Sequence, residues 1–161
     1  LRVELKNIQT NLNATILYVT HDQAEATTLA DKIGVLKEGH LVQIGTPEEI
    51  YENPNSIYVS QRLGSPKINI LSGELFGMND VPTFGIRPEN ITIGKGNYSA
   101  NIISVENLGS ETVVALNFKD HELLVSIQGN YKSSINEKIN FDINIEKVLR
   151  FDQEGNRIYE C

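Results

Sequence analysis

The hydrophobic positions of this chain change their period near residue 65. Before it, apolar residues recur at helical spacing or in short runs; after it, they alternate with polar ones over strand-length stretches. Leu1, Leu5, Ile8 and Leu12 fall at i, i+4, i+7 and i+11, which predicts an amphipathic helix over residues 1–13 with one buried face. Residues 15–20, rich in β-branched and apolar types, predict a short buried strand. A second helix is expected over residues 22–32, with the Asp22 carboxylate suited to its N-terminus. Residues 33–36 and 41–44 flank Lys37-Glu38-Gly39-His40 and read as a hairpin, the glycine supplying a positive φ. Thr46-Pro47-Glu48-Glu49 is a capping box with proline at the first helical position. Its helix stops near Asn53-Pro54, and residues 56–63 form one more.

Gly64-Ser65-Pro66 breaks the helical pattern and marks a domain boundary at about residues 64–68, giving segments 1–64 and 65–161. Beyond it, residues 68–75, 83–87, 99–105, 111–118 and 122–127 read as strands separated by turn residues. Leu123, Val125 and Ile127 alternate with polar or outward positions; Ile139, Phe141, Ile143 and Ile145 alternate more cleanly. A one-residue slip would expose that apolar face, so the register is constrained. Short strands at this spacing predict a small barrel or sandwich with its edges largely closed. The expected fold is therefore an α/β segment followed by an all-β small barrel.

Composition narrows the function classes. The 161 residues are 40% hydrophobic and 22% charged, an ordinary globular balance. No apolar run approaches the roughly 18 residues that span a bilayer, and the opening residues carry no secretory-leader pattern. The single cysteine, Cys161, cannot form an internal disulfide, as expected in a reducing compartment. A net charge of −7 disfavours a phosphate-backbone partner. From Lys67 onward nine Lys/Arg face thirteen Asp/Glu, and the aromatic residues are scattered over the whole chain with no basic interleaving, so nucleic-acid binding is set aside. The chain begins in mid-pattern, without Met or a helix cap, and is expected to be a fragment of a longer protein.

Candidate chemistry centres on His21. In an open α/β sheet, ligands bind outside the carboxyl ends of the strands, where a histidine after residues 15–20 would lie. Alone, such a histidine reads first as a partly exposed loop residue. His40 sits beside a hairpin turn and His121 within the hairpin connection Lys119-Asp120-His121, and both are expected to be exposed and passive. The neighbours of His21 add more. Val19-Thr20-His21-Asp22-Gln23-Ala24-Glu25-Ala26, with Leu29-Ala30-Asp31-Lys32-Ile33, resembles the switch-histidine segment of ABC transporter ATPases. Val35-Leu36-Lys37-Glu38-Gly39, Gln43-Ile44-Gly45-Thr46-Pro47-Glu48-Glu49-Ile50-Tyr51, Gly64-Ser65-Pro66-Lys67-Ile68-Asn69 and Gly85-Ile86-Arg87-Pro88-Glu89-Asn90-Ile91 extend the likeness to the maltose-type sugar-importer branch. It is close over roughly the first 95 residues and holds by pattern beyond, through Val105-Glu106-Asn107-Leu108-Gly109-Ser110-Glu111 and residues 151–158.

The resemblance implies several properties. Residues 1–64 would be the trailing part of a nucleotide-binding domain, and residues 65–161 an oligomer-binding-like regulatory domain. His21 would be the switch histidine, approaching the γ-phosphate of ATP and helping to fix the attacking water. The full-length parent would use ATP and Mg2+, work as a homodimer on the cytoplasmic face of the membrane, and drive permease subunits fed indirectly by a solute-binding protein. A regulatory protein could read the β domain. Arg87 is either a turn or ion-pair residue or a subunit contact. Polyamine importers share the His-Asp-Gln segment and stand as an alternative.

Other catalytic parts are absent from the sequence. No Gly-x-x-x-x-Gly-Lys-Ser/Thr stretch occurs; Gly94-Lys95-Gly96-Asn97 lacks the spacing and the hydroxyl. No apolar strand ends in Asp-Glu to hold magnesium, and no metal site is expected. Leu71-Ser72-Gly73-Glu74-Leu75 imitates an ABC signature loop but follows His21 among strand formers, and is read as the first β-strand of the second domain. An alternative from another class is an oxyanion sensor, with Lys132-Ser133-Ser134 as donors. Severed from sheet partners, the front segment is expected to be less stable than the β half or to pack on a second chain. The 161-residue chain by itself should show no magnesium-dependent ATP turnover; turnover above background that His21→Ala abolishes would contradict this.

Overall fold

The computed structural model describes residues 2–159, so Leu1 and Cys161 lie outside the described residues. The chain divides into two compact units, residues up to Gly64 and residues from Ser65 onward.

The first unit opens with α1 (Arg2–Leu12) and α2 (Gln23–Leu29). Helix α1 forms where its periodicity predicts, but the expected buried stripe is largely bare: Leu5 is half-buried, while Ile8 and Leu12 are exposed. Lys6 joins the two helices, donating to the Leu29 carbonyl at 3.3 Å and pairing with Asp31 at 2.8 Å. Between the helices, residues 15–20 form no strand, contrary to expectation. Strand formers need a neighbouring ladder, and none lies beside them among the described residues. Their side chains are consequently open: Leu17 is 92% and Val19 82% exposed.

Strands β1 (Ile33–Lys37) and β2 (His40–Gly45) make the predicted antiparallel hairpin, with Glu38 and Gly39 both at positive φ as a primed turn requires. One hairpin face contributes Val35 to a small core with Ile50, Val59 and Leu63; on the other, Leu36, Leu41 and Ile44 are exposed. Helix α3 (Pro47–Glu52) starts at the expected capping box, Thr46 Oγ1 accepting from Glu49 N–H and the Glu49 carboxylate accepting from Thr46 N–H. Helix α4 (Ile57–Ser60) completes the unit. The expected open α/β sheet is not formed; every ladder described is antiparallel.

The second unit is two four-stranded antiparallel sheets rather than a closed barrel. Strands β3 (Asn69–Ser72), β4 (Thr83–Ile86), β9 (Leu149–Phe151) and β10 (Arg157–Ile158) form one, in the order β10-β9-β4-β3. Strands β5 (Ile91–Asn107), β6 (Glu111–Phe118), β7 (His121–Gln128) and β8 (Lys138–Ile143) form the other, in the order β7-β6-β5-β8. The alternation read in the sequence runs through Leu123, Val125, Ile139 and Phe141, all buried, and ends before Ile145, which lies exposed in a 3-10 turn. Strand β5 starts eight residues earlier than residue 99 because Gly94-Lys95-Gly96-Asn97 is a bulge within it, not a break. A side chain at Gly96 would strike the Phe141 backbone.

The expected strand over residues 68–75 also ends early. At Ser72 it gives way to a 3-10 turn (Gly73–Phe76), where a Cβ on Gly73 would collide with the Met78 and Val81 carbonyls. This turn delivers Phe76 into an aromatic cluster, 5.3 Å from Phe84 in the first sheet and 4.8 Å from Tyr98 and 5.0 Å from Phe118 in the second. The two sheets are also tied by Asn69. Its carboxamide accepts from Leu124 N–H at 2.7 Å and donates to the Leu124 carbonyl at 2.8 Å, pairing with edge strand β7 as a peptide group would. Asn69→Ala should lower the denaturant midpoint of this unit by the equivalent of roughly 1–2 kcal/mol, since partly buried backbone groups of Leu124 lose their partners. Near-ultraviolet dichroism of the aromatic cluster through a urea titration is the measurement.

Candidate functional site around His21

Local hydrogen bonding, not sheet pairing, builds the turn that carries His21. Asp22 is the N-cap of α2, its Oδ1 accepting from Ala24 N–H at 2.8 Å and from Glu25 N–H at 3.0 Å. A cap of this kind stabilises a helix start by about 1 kcal/mol. Thr20 Oγ1 accepts from Asp22 N–H at 3.0 Å and donates to Glu25 Oε2 at 2.7 Å, which also accepts from the Tyr18 hydroxyl at 3.2 Å. Asp22-Gln23-Ala24-Glu25 has the spacing of a capping box, but Thr20 takes the backbone donor that Glu25 would bond, and Glu25 holds Thr20 instead. His21 is therefore flanked by two pinned residues, with its imidazole exposed to solvent. Such an imidazole can donate or accept a hydrogen bond without unpacking anything.

Sequence reasoning singled out His21 as a candidate and read the cap at Asp22, which the structure forms. It missed Thr20, Glu25 and Gln23, although the capping-box spacing carried a signal for Glu25. Gln23 Oε1 accepts from Gly64 N–H at 2.9 Å, a pairing over 41 positions that no local pattern announces.

The remaining candidates lie elsewhere. His40 Nδ1 stands 3.1 Å from the Glu38 carbonyl and His121 Nδ1 stands 2.8 Å from the Lys119 carbonyl, each bracing the turn that precedes it. His121 opens β7 and is not within the connection, which is Lys119 and Asp120, both at positive φ. Arg87 is buried beside the first sheet. Among the described residues no three His, Cys, Asp or Glu side chains converge as a metal-ligand group.

In the Lys132-Ser133-Ser134 loop the donors serve an internal carboxylate: the Ser133 hydroxyl donates to Glu137, and Ser134 N–H donates to it at 3.0 Å. These bonds, the Ser133 hydroxyl first, hold the Glu137 carboxyl below the ordinary glutamate range. Glu137 thus fills the place an oxyanion would need.

The chain was then compared with known proteins. No family model matches it. Among curated proteins it is 34% identical over 190 residues to the ABC transporter ATP-binding protein YurJ of Bacillus subtilis, covering 96% of the chain. It is 36% identical over 177 residues to the sn-glycerol-3-phosphate import ATP-binding protein UgpC of Rhizobium meliloti, covering 98%. The chain is homologous to the ATP-binding subunits of ABC importers. UgpC of Bartonella bacilliformis is 37% identical over 170 residues, covering 96% of the chain. The chain spans about half the length of these relatives: 52%, 51% and 49%. No helix among the described residues is long and apolar enough to cross a membrane.

The lowered Glu137 pKa fixes the sign of one pH effect. A depressed folded value means the loop bonds contribute above the unfolded glutamate pKa and are lost as pH falls through the folded one. The Ser134 amide resonance should accordingly titrate below the ordinary glutamate range, and Glu137→Gln should remove that inflection.

Proposed function

We propose that this chain is the second half of the ATP-hydrolysing subunit of an importer, with His21 as the side chain that meets the nucleotide. The observation that carries the reading is the His21 turn: an exposed imidazole whose two neighbours are pinned by Asp22, Thr20 and Glu25 at the start of a helix. Homology to the ABC transporter ATP-binding protein YurJ and the import ATP-binding protein UgpC supports the same assignment.

In this reading ATP is the substrate, and His21 donates a hydrogen bond toward a γ-phosphate oxygen while orienting the attacking water. The contribution is positional and electrostatic, since phosphoryl transfer offers a protein little covalent work. Magnesium, when bound, neutralises charge on the β- and γ-phosphates. Its ligands and the phosphate loop would come from the half of the relatives' length that this chain does not match. The two-sheet unit, read as the oligomer-binding-like domain of the family, would serve dimer contact and regulation. The assembled homodimer would sit at the cytoplasmic face against permease subunits and receive cargo through a solute-binding protein. That the UgpC relatives are sn-glycerol-3-phosphate import proteins supports a sugar-type or polyol phosphate cargo.

A chimera in which residues 1–161 replace the matched half of YurJ tests this. The chimera should hydrolyse ATP with magnesium. His21→Ala should lower kcat by about 10²–10³-fold while leaving nucleotide binding within a few-fold. A chimera whose turnover is indifferent to His21→Ala would sink the assignment.

A further inference from the structure

Helix α2 carries His21 at its threshold, yet none of its side chains is buried. Apolar packing therefore does not fix where the helix starts, and polar ties must. At its C-terminal end Lys6 links it to α1, whose own apolar stripe is largely exposed. At its N-terminal end the tie is Gln23, the first helical residue, whose Oε1 accepts from Gly64 N–H at 2.9 Å. Gly64 directly follows Leu63, which is 5% exposed in the core with Val35, Ile50 and Val59. It is also the last residue of the first unit and holds φ +115°, a conformation that suits glycine.

We infer that Gln23 is a positioning residue: its carboxamide holds the His21 turn against the core-anchored exit of the first unit, so that displacing the turn is felt at Gly64. The inference rests on His21 being the nucleotide-facing group. The bond, 2.9 Å long and partly buried, joins stretches of chain 41 positions apart. Asp22 makes the linkage stiff, because its cap fixes the backbone between His21 and Gln23. Without the carboxamide acceptor the turn keeps its local bonds but loses its fixed place relative to Leu63.

The 161-residue chain itself supports the test, by amide hydrogen exchange and NMR. In the unaltered chain the Gly64 amide should be protected. Gln23→Ala should speed its exchange by about tenfold or more and shift the His21 ring resonances, while Gln23→Glu, which keeps a carboxyl oxygen at the same reach, should preserve both. The β1–β2 hairpin amides report that the unit has folded. Should Gln23→Ala unfold it, Gln23→Met retains the length of the side chain without the acceptor. A double-mutant cycle completes the test: Asp22→Ala should perturb Gly64 when Gln23 is present and not in the Gln23→Ala background.

Unchanged Gly64 exchange in Gln23→Ala, or an Asp22→Ala effect that persists without Gln23, overturns the inference. In the YurJ chimera, Gln23→Ala should lower kcat with the KM for ATP unchanged, and Gln23→Glu should restore it; a loss that Gln23→Glu does not restore counts against it. None of the exchange measurements needs nucleotide. They can therefore fail while His21→Ala still abolishes turnover, or hold while His21 proves dispensable, which separates this inference from the functional assignment.

Discussion

The two-sheet unit depends on one side chain behaving as main chain. Asn69 offers edge strand β7 an acceptor and a donor at peptide spacing, 2.7 and 2.8 Å from the Leu124 backbone, and so extends a ladder across the gap between sheets. An edge strand with bare N–H and C=O groups is open to wrong partners; here part of that edge is satisfied from within. The aromatic cluster lies in the same unit, where Phe76 meets Phe84, Tyr98 and Phe118, and Phe118 lies 5.1 Å from Phe141. Ring packing of this kind adds about 0.5–1.5 kcal/mol per pair beyond area burial. Orientation comes from the amide, and cohesion from the buried core of rings and aliphatic side chains around it.

Local signals were legible wherever local chemistry decides the outcome. The capping box at Thr46, the cap at Asp22, the Glu38-Gly39 turn and strand β6 could all be read from residue type and spacing. Features set by distant partners were not. Residues 15–20 have strand composition and no ladder, because propensity cannot supply a neighbour. Gly94 and Gly96 look like a strand terminus, yet they let β5 bulge past Phe141 and continue. Leu71-Ser72-Gly73 begins as a strand and turns sharply because Gly73 packs under two carbonyls. The roles of Asn69 and Gln23 were hidden for the same reason: each acts on a residue 55 or 41 positions away.

The site divides along the same line. His21 stood out in the sequence by its motif alone, since the strand expected to precede it is not formed. How it is held was not legible there, because Thr20 intercepts the usual capping-box bond and Glu25 is diverted to it. The Ser133-Ser134 loop shows the converse: donors in an anion-binding pattern are already engaged by Glu137. A polar motif indicates a ligand site only after the chain's own acceptors have been counted.

The interleaving of the two sheets has a consequence for biogenesis. Strand β4 pairs with β9, and every strand of the second sheet lies between them in the chain. On a ribosome the first sheet cannot be completed until the second has emerged entire, and β9 must find in β4 a partner made more than sixty residues earlier. Closing so long a loop is slow but costs only modestly more than closing a short one. Premature termination after β8 would release a chain with an unfinished sheet edge rather than a smaller stable fold, so synthesis of this unit is all or nothing.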